Sequence, residues 1–367
     1  APLDFRRKGI TGFDARAARA GMVAESQRLA RQTPDQQIEA AYDDWAIAEL
    51  AGDLGDNATA VRHRALALSY RPMWLATFRD LSEDADVVKA RGLYQGTLAQ
   101  YRWAPVFDLA WMRQAMGGRF RPELDRFFEK NLFNMTNQPD IHVPYLLAWA
   151  GDADAATAIV RRYLTEPVVH RYTNAGLRPE AFVGRSFALS PQGFADGMDD
   201  DAGTMTAWYV WSVLGIYPLT PGDPAYVVTS PYVAAAQVCP AGGTCFEIAR
   251  APDGRTLLNG RRVEGTRIGH RNLVTSSAFR ADLVPVSAEN LLRYQSGPKT
   301  TPCYGSSRFA SGPQSYADQA AGIDKGMFAG TAGVLAAPPK ADWMRNGSYP
   351  GAGRGAAGHL TAPSSPT

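Results

Sequence analysis

An excess of charge of either sign is what this chain most plainly lacks. Its 38 Lys and Arg against 36 Asp and Glu leave a formal net charge of +2, with no long basic run. That excludes the electrostatic footprint expected of a nucleic-acid or membrane-surface binder. No apolar run is long enough to suggest a transmembrane segment. The opening residues, Ala1-Pro2-Leu3-Asp4, show no charged-then-apolar targeting pattern, so any export signal is expected to have been removed or to belong to a longer precursor. Cysteine is scarce, with three in all. Cys239 and Cys245 flank Pro-Ala-Gly-Gly-Thr, a spacing that suits a small disulfide-closed hairpin tip and leaves Cys303 over. Zinc would want a second close pair or neighbouring histidines, and neither is visible. A disulfide in a weakly oxidising, extracytoplasmic setting is therefore expected, against three reduced cysteines in a cytosolic protein. At 367 residues the chain has material for one large domain or one and a half.

What is present concentrates in residues 197–218. A dense acidic run, Asp199, Asp200 and Asp201, precedes Met205, Trp208, Tyr209, Trp211, Val213, Leu214 and Ile216 with hardly a charge among them. The apolar half predicts a helix buried on most sides. Three neighbouring carboxylates repel one another unless a cation, a proton or a helix N-terminus stabilises them. A catalytic or metal site answers that need, and so does a plain helix cap with Asp201 or Thr204 as the N-cap.

The rest of the chain changes texture once. Helices are predicted over residues 13–31, from the start signal Thr33-Pro34-Asp35 to the glycines at 52 and 55, and over 57–70. In the second of these Tyr42, Trp45, Ala46, Leu50 and Leu54 should form the core face. Arg71-Pro72 reads as a break, and 75–88 as irregular and acidic. Residues 91–108 mix amides, aromatics and glycine, which suits a sugar-binding loop because a pyranose offers hydroxyls at its rim and C–H groups on its face. Further helices are predicted over 109–116, 121–131, 143–150 and 153–164, with a polar loop at 135–142. Short strands follow at 226–230, 236–239, 245–250, 256–263 and 276–285, with Asn259-Gly260 the strongest hairpin signal. The fold class expected is α+β and multidomain. Its parts are a helical region over 1–220 that carries the site, β-strands over 221–295, and a Gly/Ser/Pro-rich extension over 296–367.

The segment Asp199-Asp200-Asp201-Ala202-Gly203-Thr204-Met205-Thr206-Ala207-Trp208-Tyr209-Val210 resembles the Asp-x-Asp-x-Gly segment and following Ser-Ala-Trp-Tyr helix of glycoside hydrolase family 92. The run from Ala41 to Ala51, the Gln100-Tyr101-Arg102-Trp103 motif, His142-Val143-Pro144-Tyr145-Leu146 and the run from Tyr226 to Pro231 match that family in the same order. The likeness covers roughly residues 35–290. It implies part of an (α/α)6 toroid followed by strands that complete a β-sandwich, with the N-terminal half of the same enzyme as the missing partner. The activity implied is that of a calcium-dependent, inverting exo-α-mannosidase in a secreted or extracytoplasmic, bacterial setting. Its partners would be mannose-containing glycans or mannosyl phosphodiesters, with no nucleic acid and no membrane.

Residue by residue, the resemblance makes Asp199 and Asp201 the base pair that activates water. It maps the Asp201 carboxylate and the Ile141 carbonyl to calcium, and leaves Asp200 a solvated neighbour. Asn137 and Gln138 stand where α-1,2-specific members carry His-Glu, in the leaving-group subsite. Gln100 and Arg102, with Arg91 as another source of attraction, are expected at the substrate. Gln95 occupies the position of the family's general-acid glutamate, and a glutamine cannot deliver a proton. The leaving group is then expected to need none, as a phosphate ester does not, which points to mannose-1-phospho-6-mannose linkages. An ordinary exo-α-1,2-mannosidase with weakened acid catalysis and a non-catalytic mannose-binding relative are the alternatives.

Overall fold

A computed structural model of the chain describes residues 1–82, 93–171, 181–188, 193–195, 198, 200–240 and 244–275. Asp199, Arg91, Cys303, the strand expected at 276–285 and the extension at 296–367 lie outside the described residues. The elements below belong to the unit built from Ala1–Leu189 and Gly193–Leu283.

The first half is helical because its helix starts are written as local hydrogen bonds. Helices α1 (Pro2–Arg7), α2 (Ala15–Ser26), α3 (Pro34–Asp53), α4 (Asn57–Leu68) and α5 (Arg71–Thr77) open the chain. Asp14 caps α2 by accepting from the backbone of Arg16 and Ala17, and Asp56 caps α4 through Thr59. At α3, Gln36 Oε1 takes the N–H of Thr33 at 3.3 Å. The expected break at Arg71-Pro72 is instead the start of α5, since a proline in the first turn gives up an N–H that the helix cannot use. The core face of α3 also differs from expectation. Ile38, Ala41, Ile47, Ala48, Leu50 and Ala51 are buried, while Tyr42 and Trp45 are half-buried beside Phe107. Small residues on that face let α4 pack closely, which the larger aromatics would prevent.

Then come α6 (Leu98–Tyr101), α7 (Leu109–Met116), α8 (Phe120–Glu129), α9 (Val143–Trp149) and α10 (Ala153–Thr165). One core, rich in aromatics, runs through these elements, with Trp74, Trp103, Phe133, Tyr145, Tyr163 and Trp208 fully buried in it. Between helices lies an unanticipated antiparallel pair, β1 (Pro167–His170) with β2 (Phe182–Arg185). Helix α11 (Thr204–Leu214) buries Met205, Trp208 and Ser212, and its Tyr145–Ser212 hydroxyl contact fixes it to α9. Burial on most sides was expected; Tyr209 and Val210 are 41% and 49% exposed, because only one side of α11 meets the core.

Gly215, in the left-handed region at φ +72°, ends α11 where a Cβ would lie 2.6 Å from the Pro231 nitrogen. Beyond it β3 (Ile216–Tyr217), β4 (Ala225–Val228) and β9 (Arg267–Gly269) form one sheet in the order β3-β4-β9. The strands β5 (Ala235–Val238), β6 (Phe246–Arg250), β7 (Thr256–Leu258) and β8 (Arg261–Arg262) form an antiparallel meander. Cys239 and Cys245 are bonded at the β5–β6 end, as their spacing suggested. Asn259 and Gly260, both at positive φ, make the two-residue turn between β7 and β8. Helix α12 (His270–Thr275) closes the described region.

Candidate active site

Gln95 sits on a turn that is held at both ends. Upstream, the buried carboxylate of Asp35, in the first turn of α3, accepts the N–H of Tyr94 at 2.6 Å. Downstream, Thr97 caps α6: its N–H goes to Gln100 Oε1 at 2.8 Å and its hydroxyl oxygen accepts the Gln100 N–H at 3.3 Å. Between them Gly96 adopts φ +72°, and a Cβ there would lie 3.1 Å from Gln100 Oε1 and 3.2 Å from both Pro139 Cγ and Tyr101 Cε2. Only glycine lets this turn lie so close to the loop that follows α8. In consequence Gln95, 9% exposed, donates from Nε2 to Gln138 Oε1 at 2.8 Å.

That second loop, residues 131–142, is a buried polar network. Asp140 accepts the Asn134 N–H at 2.9 Å and the Gln100 amide at 3.1 Å, joining the loop to the Gln95 turn. Burial pushes its carboxyl well above the usual range, its hydrogen bonds opposing the shift. Asn134 Nδ2 donates to Thr136 Oγ1, and Asn137 Oδ1 takes the Gln138 N–H at 3.0 Å. Asn137 is itself fully buried, and its Nδ2 has no hydrogen-bond partner among the described residues. His142 donates from Nε2 to the Trp103 carbonyl at 2.8 Å, and burial brings its pKa down to about 4, so the ring is neutral.

The acidic run ends in three successive left-handed residues, Asp201, Ala202 and Gly203, at φ 47°, 57° and 91°. Gly203 occupies the cap position of α11, so neither Asp201 nor Thr204 supplies a capping side chain. Asp200 does that work: its Oδ1 accepts both the N–H and the hydroxyl of Thr206, at 2.9 and 2.8 Å. Asp200, expected as a solvated neighbour, is partly exposed and also caps the start of α11. From the next turn of α11, Trp208 donates its indole N–H to the Ile141 carbonyl at 2.8 Å. The expected calcium positions, Asp201 and Ile141, thus belong to one helix start and the carbonyl that this helix holds.

Two expected substrate contacts are corrected. Gln100 is fully buried, with both ends of its amide spent on Thr97 and Asp140. Arg102 is 4% exposed and gives its guanidinium to Glu123 at 2.9 Å and to the Arg79 carbonyl at 2.7 Å. Both residues hold the fold around the site. Gln95, Asn137 and Gln138 do come together, and sequence reasoning missed the carboxylates of Asp35 and Asp140 that hold them. The polarity of residues 135–142 was visible; that its centre would be a buried carboxyl was not.

Would these residues suit calcium? A carboxylate and a main-chain carbonyl are hard oxygen donors, which fit that ion in kind. Among the described residues no three His, Cys, Asp or Glu side chains gather as a metal group. A cation here would draw most of its ligands from water and main-chain oxygen. A cavity of about 340 Å³, lined among others by Arg7, Trp45, Phe107, Trp149 and Tyr226, includes none of the expected site residues.

The glycosyl hydrolase family 92 catalytic domain matches residues 11–284. The chain belongs to this family. Its solved neighbours agree in fold. The family 92 glycosyl hydrolase ccman5 superposes with a TM-score of 0.59 at 22% identity, over 74% of this chain and 43% of that one. A family 92 α-mannosidase from Bacteroides thetaiotaomicron gives 0.53 at 21% identity, over 74% and 40%. A family 92 inverting mannosidase of the same organism gives 0.53 at 18%, over 74% and 43%. This family 92 chain therefore spans about two fifths of the length of those proteins. No curated protein matches it. No described helix is long and apolar enough to cross a membrane.

Proposed function

We propose that this family 92 chain carries the active site of a calcium-dependent, inverting exo-α-mannosidase that cleaves α-mannose-1-phospho-6-mannose linkages. It would act within a partial (α/α)6 toroid whose strands complete a β-sandwich with the N-terminal half of the enzyme. What supports the reading is that Gln95, which the resemblance aligns with the general acid, is an amide hydrogen-bonded to a second amide, Gln138. Asp140, the carboxyl held in the same network, is fully buried and turned toward Asn134 and Gln100.

Inversion needs a carboxylate to activate water on the face opposite the leaving group. Asp199 and Asp201 are assigned that role. As the water oxygen bonds to the anomeric carbon, they take its proton. The anomeric C–O bond breaks with its electron pair going to the phosphate oxygen. An alcohol leaving this way would be a strongly basic alkoxide and would need a proton, a contribution of about 10²–10⁴-fold in rate. A phosphate monoester, with a second pKa of about 6, departs unaided. Neutral Asn137 and Gln138 at the leaving-group side spare the phosphodiester a repulsion that a carboxylate would impose. Asp201 and the Ile141 carbonyl are the positions proposed to hold calcium, which when bound would supply positive charge at the sugar. The disulfide supports an extracytoplasmic location.

A direct test compares the intact protein on a mannosyl phosphodiester and on α-1,2-mannobiose. The phosphodiester is expected to react faster by about 10²–10⁴-fold, the share an absent acid forfeits. Faster hydrolysis of the disaccharide would end the reading.

A further inference from the structure

Gln95 and Gln138 lie on separate loops, and both loops are held in place. The Gln95 turn is pinned by Asp35 on one side and the Thr97–Gln100 cap on the other. The Gln138 turn is pinned by Asn137 Oδ1 and by the Asp140 carboxyl. Gly96 against Pro139, and Gln100 to Asp140, fix the spacing of the two turns. The 2.8 Å bond from Gln95 Nε2 to Gln138 Oε1 joins these two held turns.

We propose that Gln138 is the positioning residue for Gln95, so that the two amides act as one coupled unit; this rests on the function proposed above. Gln138 Oε1, by accepting one N–H, fixes the plane of the Gln95 amide. That bond uses only the oxygen of the Gln138 amide and leaves its Nε2 as the donor toward an oxyanion.

The pairing has a consequence for any acid placed at position 95. Gln95→Glu sets two acceptors face to face at a separation built for a hydrogen bond. If the new carboxyl is protonated, it spends its proton on Gln138 Oε1. If Gln138 rotates and offers Nε2 instead, that N–H stabilises the carboxylate and makes it a poorer proton donor. Either way one substitution does not restore an acid.

A double-mutant cycle on an aryl α-mannoside, whose leaving group needs no proton, tests the pairing whether or not phosphodiesters prove to be substrates. Gln138→Leu and Gln95→Leu are each expected to lower kcat by about ten- to hundredfold with little change in KM, as a misplaced polar group does. The double variant is expected to be no worse than either single one. Gln138→Asn, polar but one methylene short of Gln95, should lose as much as Gln138→Leu, which keeps the test alive should the leucine disturb folding. Gln138→Glu still accepts the Gln95 N–H, so it should lose no more than about threefold on the aryl mannoside while losing at least about tenfold on the phosphodiester. Losses that multiply in the double variant, or a Gln138→Glu as poor as Gln138→Leu on the aryl substrate, would overturn the proposal. A wild-type preference for the disaccharide would sink the proposed function and leave the outcome of this cycle readable.

Discussion

Gly96→Ala should separate the cost of an unfavourable backbone from the cost of crowding the two site loops. Alanine at φ +72° pays about 1–2 kcal/mol for the left-handed conformation alone. Its Cβ would also stand 3.1 Å from Gln100 Oε1 and 3.2 Å from Pro139 Cγ and Tyr101 Cε2, so the loops must spread by a few tenths of an ångström. Overpacking of this kind adds about 1–3 kcal/mol, with the lower end expected because all three neighbours are side-chain rather than backbone atoms. Gly55→Ala is the control: at φ +76° it has nothing within 4 Å of the added carbon and pays the backbone cost only. Urea midpoints measured side by side, read with a common slope, should place Gly96→Ala at least about 1 kcal/mol below Gly55→Ala. Turnover of an aryl mannoside should fall about tenfold in Gly96→Ala, since spreading the loops stretches the Gln95–Gln138 bond, and hold steady in Gly55→Ala. Equal stability losses in the two variants would refute the close approach, and with it the account of how Gln95 is held.

Glu123→Gln strips the buried Arg102 of its counter-charge and should destabilise the chain by about 3 kcal/mol without changing KM for the phosphodiester. A raised KM at unchanged stability would instead return Arg102 to the substrate. Acid should act on the fold through His142. Brought down from about 6.5 to about 4 by burial, it favours the fold fully above pH 6.5, and that contribution is lost as pH falls through 4. A shift of that size corresponds to roughly 3 kcal/mol. His142→Gln, which keeps a donor for the Trp103 carbonyl, should flatten the difference in urea midpoint between about pH 7 and about pH 4.5; an identical slope in both proteins would contradict it.

What could be read before folding was mostly local. Asp14 before an alanine-rich run, Thr33-Pro34, Asn259-Gly260 and the pair Cys239 and Cys245 each state their structure within a few residues, because caps, turns and short covalent loops are satisfied by near neighbours. Partners far apart in sequence were not readable. Asp35 reaches Tyr94 across 59 residues, Gln100 reaches Asp140 across 40, and Trp208 reaches Ile141 across 67. Nothing in residue type or spacing marks which distant amide a carboxylate will meet. For the same reason Gln100 and Arg102 read as sugar contacts: amide and guanidinium groups look alike whether they face a ligand or close a buried network, and only burial tells them apart. The pair β1–β2 escaped because its four-residue strands are separated by a longer connection with no tight-turn signature.

The indole of Trp208 on the Ile141 carbonyl works as a cross-brace. It fastens the helix that begins just after Asp201 to the loop that ends just beyond Asn137 and Gln138. On the function proposed above, that strut would hold the water-activating residues at a set distance from the leaving-group residues, so side chains at 95 and 138 could be exchanged without moving the start of α11.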